Sequence, residues 1–302
     1  MVLSVLVLSV SLVSAAEKSN SELLQETEHL SSRVKEFGKS LGIEPSKALL
    51  SSTKNQPAKS MLWVWVQKFG VISTEPALRL HVKFDKETSA IPLARVGVYA
   101  AGGYDYYYRQ GDVFASQDSV ITVEFSRKTP AEKVSAILHE DLHFNINIRG
   151  AVDEAIVGAL ADLAAREFFL RIGDTEGVSH VNSYMPRFRK LSREINQLEK
   201  ELTSFFQTHP ADEEEIREKA RQLARNSPVY NGGLISMNGN SLEAQFGHDL
   251  AYFKYYDFII SLSEIAPSLK TLIADLKKSP SDPNRVEEYL RELETKYKRP
   301  KP

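Results

Sequence analysis

Phe188, Leu191, Ile195, Leu198, Leu202 and Phe205 follow one another at steps of 3, 4, 3, 4 and 3 residues. Apolar residues at that spacing form one stripe along a helix, and a strand with its two-residue period cannot use it. Pro210 interrupts the stripe, and Ile216, Ala220 and Leu223 resume it. Residues 184–226 therefore read as a helical hairpin joined near His209-Pro210, with its many charges on solvated faces. The helical period extends further in both directions. Thr129-Pro130-Ala131-Glu132 has the form of a capping box with Pro at the first helical position. It opens a helix that ends before Gly150, and Asp153 starts another that runs to about Arg171. Beyond a Gly- and Asn-rich loop at 228–240, helices are expected at about 241–266 and 268–278. Asp282-Pro283 caps a last one to about Lys298.

Residues 61–125 have a different pattern. Leu62-Trp63-Val64-Trp65-Val66 is aromatic and β-branched, Ala77 to Phe84 alternates, and Val96 to Tyr99 is a third candidate strand. Ile121, Val123 and Phe125 alternate with Thr122 and Glu124 in a fourth. Gly102-Gly103 and Tyr104-Asp105-Tyr106-Tyr107-Tyr108 read as a loop or hairpin between strands. The expectation is an α+β chain, predominantly helical, with a small, mostly antiparallel sheet ahead of the helix that Thr129 opens.

At the N-terminal end, 17–42 reads as an amphipathic helix through Leu23, Leu24, Leu30, Val34 and Phe37, and 43–60 as a linker. Residues 61–302 then form the main domain. Val2 to Val13 is apolar and Ser-rich, followed by Ser14-Ala15-Ala16 and then charge at Glu17. Residues 1–16 thus resemble an export signal, either cleaved near Ala15 or Ala16 or kept as an anchor, and the expected location is periplasmic or secreted. No other stretch is apolar enough to span a bilayer. Net charge is -2, from 38 basic and 40 acidic residues, so no basic excess marks a nucleic-acid partner.

The chemistry concentrates at His139-Glu140-Asp141-Leu142-His143. Histidines four residues apart on a helix share a face, about 6 Å apart along the axis, and can meet one ion. With no cysteine in the chain, that ion must be held by imidazole and carboxylate, which suits Zn2+. Glu140 is placed to act as general base on a metal-activated water. A catalytic zinc needs a third protein ligand. The short connection 147–152 brings the next helix back alongside, so Glu154 is the candidate, with Asp153 and Asp162 as alternatives or supports. His248 and Tyr252, one helical turn apart, are candidates to face the oxyanion of a tetrahedral intermediate. His29, His81, His180 and His209 read as ordinary surface or half-buried residues.

These residues resemble the zincin metallopeptidases with two histidines and a glutamate as ligands, and among them bacterial proteins described as predicted aminopeptidases. The likeness covers about residues 95–278. Its parts are His139 to His143, Val152-Asp153-Glu154-Ala155 leading into Gly158-Ala159-Leu160, the charged hairpin of 187–226, and Asn238-Gly239-Asn240 with the helix through Tyr252. It implies a zincin-like fold, His139, His143 and Glu154 as zinc ligands, Glu140 as general base, and a peptide or protein substrate. In such enzymes the substrate lies extended along an edge strand above the metal helix, and 119–125 is the expected strand. Two other readings compete: a metal-binding scaffold that uses the hairpin without turnover, and a metal hydrolase of non-peptide substrates. A further possibility is that helix 17–42 covers the site.

Overall fold

The computed structural model describes residues 18–54, 61–83, 102–111, 119–233, 235–237 and 241–299. The export signal at 1–16, the candidate strand Val96 to Tyr99 and Asn238-Gly239-Asn240 lie outside them. The chain is α+β and predominantly helical, with one three-stranded antiparallel sheet. Among the described residues no helix is long and apolar enough to cross a membrane.

Helix α1 (Asn20–Ser40) is held at its start by a capping box between Ser19 and Glu22. Strands β1 (Met61–Lys68), β2 (Leu78–Lys83) and β3 (Tyr104–Gly111) follow, in the spatial order β2-β1-β3. Alternation gives the sheet two distinct faces. Leu62, Val64 and Val66 cluster with Leu78, Leu80, Tyr104 and Tyr106 on one side. Trp65 and Tyr107 pack on the other side against Ala151, Ala244 and Ala251, which come from the helical part. The run Tyr104 to Tyr108, expected as a loop or hairpin, is thus a strand paired antiparallel with β1. Its tyrosines alternate in and out of the same pleat, and aromatic side chains suit a half-buried sheet surface.

One expectation is overturned nearby. Residues 119–125 do not form an edge strand. Ile121 makes a single parallel bridge with Ser52, and α2 (Val123–Ser126) begins directly after it. Thr122 caps that turn, with Phe125 N donating to Thr122 Oγ1 at 3.1 Å. Ile121 and Phe125 are both fully buried, and a four-residue step suits a helical turn as well as a two-residue alternation suits a strand. Residues 43–54, the described part of the expected linker, pack against the helical part. Ile43, Ala48 and Leu49 have no exposed surface, and Leu49 N donates to Ser119 O at 2.8 Å.

The helical part is built around α4 (Asp153–Ile172), which is buried on nearly every side. It packs against α1, α3 (Pro130–His143) and α5 (Thr175–Thr208), and also against α8 (Leu242–Phe253), α9 (Tyr256–Ile265) and α10 (Leu269–Leu276). Helices α3 and α4 are antiparallel: Ser135 near one end of α3 bonds Asp162, while His143 at the other end meets Asp153 and Glu154. The hairpin of α5 and α6 (Glu214–Asn226) forms where expected, with its turn at 209–213. Its seam is shared more widely than a two-helix hairpin would require. Leu191, Ile195, Leu198, Leu202 and Phe206 pack against Ala220 and Ala224 of α6 and against Leu242, Phe246 and Leu250 of α8. The stripe ends on Phe206 because a straight helix drifts from a 3.5-residue repeat. Phe205 instead stacks on His209, with ring centroids 4.5 Å apart. After a short turn, α7 (Pro228–Asn231), the expected helix 241–266 is split into α8 and α9. Asn196 of α5 takes up the freed Lys254 carbonyl at 2.7 Å. A 3-10 turn capped by Asp282 leads into the last helix, α11 (Val286–Lys298).

Candidate metal centre

The site begins with the caps that fix α3 and α4. Thr129 and Glu132 form the expected capping box at the start of α3. Val134, Ile137, Leu138 and Leu142 bury one face of the helix and leave His139 and His143 beside that stripe, half-buried. On the far side of α3, Asp141 is buried and paired with Lys35 of α1. It also accepts from Ser46 N at 2.8 Å and Ser46 Oγ at 2.7 Å. Helix α1 therefore covers the face of α3 opposite the histidines and does not screen them, since Asp141 lies roughly 200° around the helix from each.

Helix α4 lacks a capping side chain of its own. Glu75, from the β1–β2 connection, supplies one. Its Oε1 accepts from Ala151 N at 2.8 Å and Val152 N at 3.2 Å. Gly150, at φ +96°, lies directly against this carboxylate, where any Cβ would collide with it. Burial pushes the Glu75 carboxyl upward, and the two N–H donors partly offset that. The sheet thereby sets the entry of α4, and with it Asp153 and Glu154.

His139, His143 and Glu154 converge. The two Nε2 atoms are 2.9 Å apart. Glu154 Oε2 is 3.3 Å from His139 Nε2 and 3.5 Å from His143 Nε2. Four-coordinate zinc with bonds of ~2.0–2.1 Å holds its ligand atoms roughly 3.3 Å from one another. The donor set thus fits zinc in both type and spacing. His143 Nδ1 lies 2.9 Å from Asp153 Oδ2, and because a carboxylate only accepts, Nδ1 is the donor. That leaves the Nε2 lone pair directed at the shared centre, as a metal ligand requires. In the metal-free chain a proton takes up this excess of acceptors. Burial pulls the His143 pKa down, but the Asp153 and Glu154 carboxylates outweigh it and hold the imidazole well above its usual range. Glu154 is pushed up by burial but held well below the usual carboxylate range by the two imidazoles. Among the described residues this group has three members, so no fourth His or carboxylate closes the set.

No family model matches the chain, and no curated protein or solved structure matches it. The case for the site therefore rests on its own residues.

Glu140 is buried next to His139, where a general base would sit. Asp162, an alternative ligand from sequence, is not part of the group. It accepts from Ser135 Oγ at 2.6 Å, Tyr256 Oη at 2.6 Å and Tyr184 Oη at 3.0 Å, and so ties α3, α4, α5 and α9 together under the site. Burial raises its pKa, and these three hydroxyls oppose that rise. His29, His180 and His209 are exposed.

His248 and Tyr252 both lie on the Trp65–Tyr107 side of the sheet, with different surroundings. His248 is buried among the rings of Trp65 at 5.2 Å, Tyr107 at 5.2 Å and Tyr252 at 4.8 Å. Its Nδ1 meets Asp249 Oδ1 at 3.0 Å, and its buried Nε2 has no hydrogen-bond partner among the described residues. Tyr252 Oη accepts from Arg109 Nη2 at 2.9 Å, which leaves the tyrosine proton available to donate. Burial, together with the charges of Glu154 and Glu140, raises the Tyr252 pKa, so its hydroxyl stays protonated. The same effect places Tyr252 within electrostatic reach of both the metal group and the candidate base.

Sequence reasoning missed Arg109, Glu75 and Asp249. Arg109 was hidden by reading Tyr104 to Tyr108 as a loop. Read as a strand, the segment puts Tyr107 and Arg109 on one face by simple alternation. No local signal identified Glu75, since its partners are backbone N–H groups 76 and 77 residues away.

Proposed function

We propose that the chain is a zinc-dependent peptidase with a zincin-like site. The observation that carries the reading is the convergence of His139 Nε2, His143 Nε2 and Glu154 Oε2 at 2.9–3.5 Å, with buried Glu140 adjacent. Zinc held there would polarise a bound water and bring its pKa to roughly 7. Glu140 would take the proton of the attacking water and pass it to the leaving amine. Asp153 holds the His143 ring in its ligating tautomer. Tyr252, with its own oxygen engaged by Arg109, would donate its proton to the developing oxyanion. His248 then has a packing role, held by Asp249 at Nδ1 and enclosed by the rings of Trp65, Tyr107 and Tyr252. Of the two sequence candidates, Tyr252 fits the oxyanion role better.

A set of three protein ligands among the described residues supports turnover over a structural metal, because structural zinc sites are closed by four. With 119–125 excluded as a strand, β3 is the strand that supplies contacts beside the site, through Tyr107 and Arg109. The test compares wild type with Glu140→Gln on a peptide library. We expect the variant to keep one zinc and to lose hydrolysis by about 10³-fold or more, on the scale of a lost general base or its equivalent. Cleavage at the parent rate would overturn the mechanism. Zinc without cleavage by wild type would favour a binding protein.

A further inference from the structure

The sheet face that meets α8 carries two arginines that form no ion pair with a carboxylate among the described residues, although the charge of Arg79 is felt by Glu75. Arg79 of β2 stands opposite Trp65, and Arg109 of β3 stands opposite Trp63, so directly paired positions place both on the same face. Both are exposed. Arg109 is held in place by its neutral neighbours. Its guanidinium lies 5.1 Å from the Tyr252 ring centre and 5.8 Å from that of Trp63, and one nitrogen donates to Tyr252 Oη. A guanidinium has five N–H donors, so most of its capacity is left for another acceptor. The positive charges of Arg79 and Arg109 both act on Tyr252, the same hydroxyl on which Glu154 and Glu140 act.

The acidic groups on this side are, by contrast, already engaged. Glu75 caps α4, Asp153 holds His143, and Asp249 accepts from Tyr230 and meets His248. Asp105 accepts from Ala244 N, and Glu243 from Gly70 N. A site that reads a substrate amine needs an uncommitted carboxylate. Here the uncommitted charges are cationic.

We infer that Arg79 and Arg109 read a carboxylate of the substrate beside the metal group, and that the enzyme prefers peptides with such a group next to the bond it cleaves. The inference rests on the peptidase reading above. Two sources share this chemistry: the free C-terminal carboxylate of a short peptide, and an Asp or Glu side chain flanking the scissile bond. Arg109, through its bond to Tyr252, would align that carboxylate with the oxyanion donor, as bidentate arginine contacts do.

The test is binding to zinc-loaded Glu140→Gln, which separates recognition from turnover. Three probes are titrated: acetyl-Ala-Ala-Ala with a free carboxylate, the same peptide as its amide, and acetyl-Ala-Glu-Ala amide. At least one carboxylate-bearing probe should bind about tenfold or more tightly than the neutral amide, the scale of a charged hydrogen bond. Which probe gains identifies the source. Adding Arg79→Ala should remove the preference and leave binding of the neutral amide unchanged; Arg109→Ala, which also releases Tyr252, should remove the preference as well, and Arg109→Lys should restore part of it. Equal affinity for all three probes, binding of none, or a preference that survives both arginine substitutions overturns the inference. Wild-type hydrolysis of all three peptides is measured in parallel. Turnover without preference defeats this inference alone, and preference without turnover defeats the peptidase reading alone.

Discussion

Asp153 Oδ2 accepts a hydrogen bond from His143 Nδ1 at 2.9 Å, one residue before the glutamate that shares the metal group. Adjacent positions on one helix thus divide two tasks: Asp153 orients an imidazole, and Glu154 faces the point where His139 and His143 converge. Supports of this kind typically contribute 10- to 100-fold in metal affinity. Asp153→Ala should weaken zinc binding by about that factor, and competition with a chelator of known affinity measures it. An unchanged affinity would mean that the hydrogen bond does not hold the ring.

Tyr252→Phe removes the proposed oxyanion donor and leaves the ring stacked beside His248. Peptide hydrolysis should fall by about 10²–10³-fold in kcat, with KM moving little, as for loss of one oxyanion donor. Steady-state kinetics separates the two constants. A rise in KM at unchanged kcat would assign Tyr252 to ground-state binding instead.

The helices were largely legible in the sequence because their signals are local. The Thr129–Glu132 capping box and the stripe through Leu191, Ile195, Leu198 and Leu202 each lie within a few turns. The metal group was legible for the same reason. His139 and His143 share a helix, and Glu154 follows a connection too short to place it elsewhere. What failed was decided by distant partners. Ile121 and Phe125 fit strand and helix periods equally, and Thr122 capping settled the choice. Tyr104 to Tyr108 became a strand by pairing with β1, some forty residues earlier. The surroundings of Tyr252 depended on that strand, so Arg109 was lost with it.

Asp105 and Glu243 bring a second carboxylate pair to the junction of β3 and α8. Burial, then the neighbouring Glu243 charge, pushes the Asp105 pKa up to about 7. A folded-state pKa above the unfolded value of about 3.9 means that folding favours the protonated acid. Its contribution to stability is present at low pH and is lost as pH rises to about 7. Asp105→Asn keeps an acceptor for Ala244 N without the charge. It should be more stable than wild type by about 1–3 kcal/mol at pH 8, with the gap narrowing to roughly a third of that at pH 5 and closing near the unfolded pKa of about 3.9. Urea unfolding at both pH values gives the comparison, and a gap that widens on acidification would contradict this assignment.

Lys35 and Asp141 form a buried pair that fastens α1 behind the histidine face. Lys35→Met leaves Asp141 charged and buried, with only the Ser46 donors to satisfy it. Breaking such a pair costs about 3–5 kcal/mol, although replacing both partners is often neutral. Lys35→Met should therefore unfold at lower denaturant than Lys35→Met/Asp141→Leu. The reverse order would place the stabilisation of α1 elsewhere.

The central claim is that His139, His143 and Glu154 hold one ion. Zinc retained per chain after exhaustive dialysis, measured by mass spectrometry on wild type and on His139→Ala, tests it most directly. The account predicts one zinc per chain for wild type and close to none for the variant. A wild type that retains none, or a variant that retains as much as wild type, would contradict it.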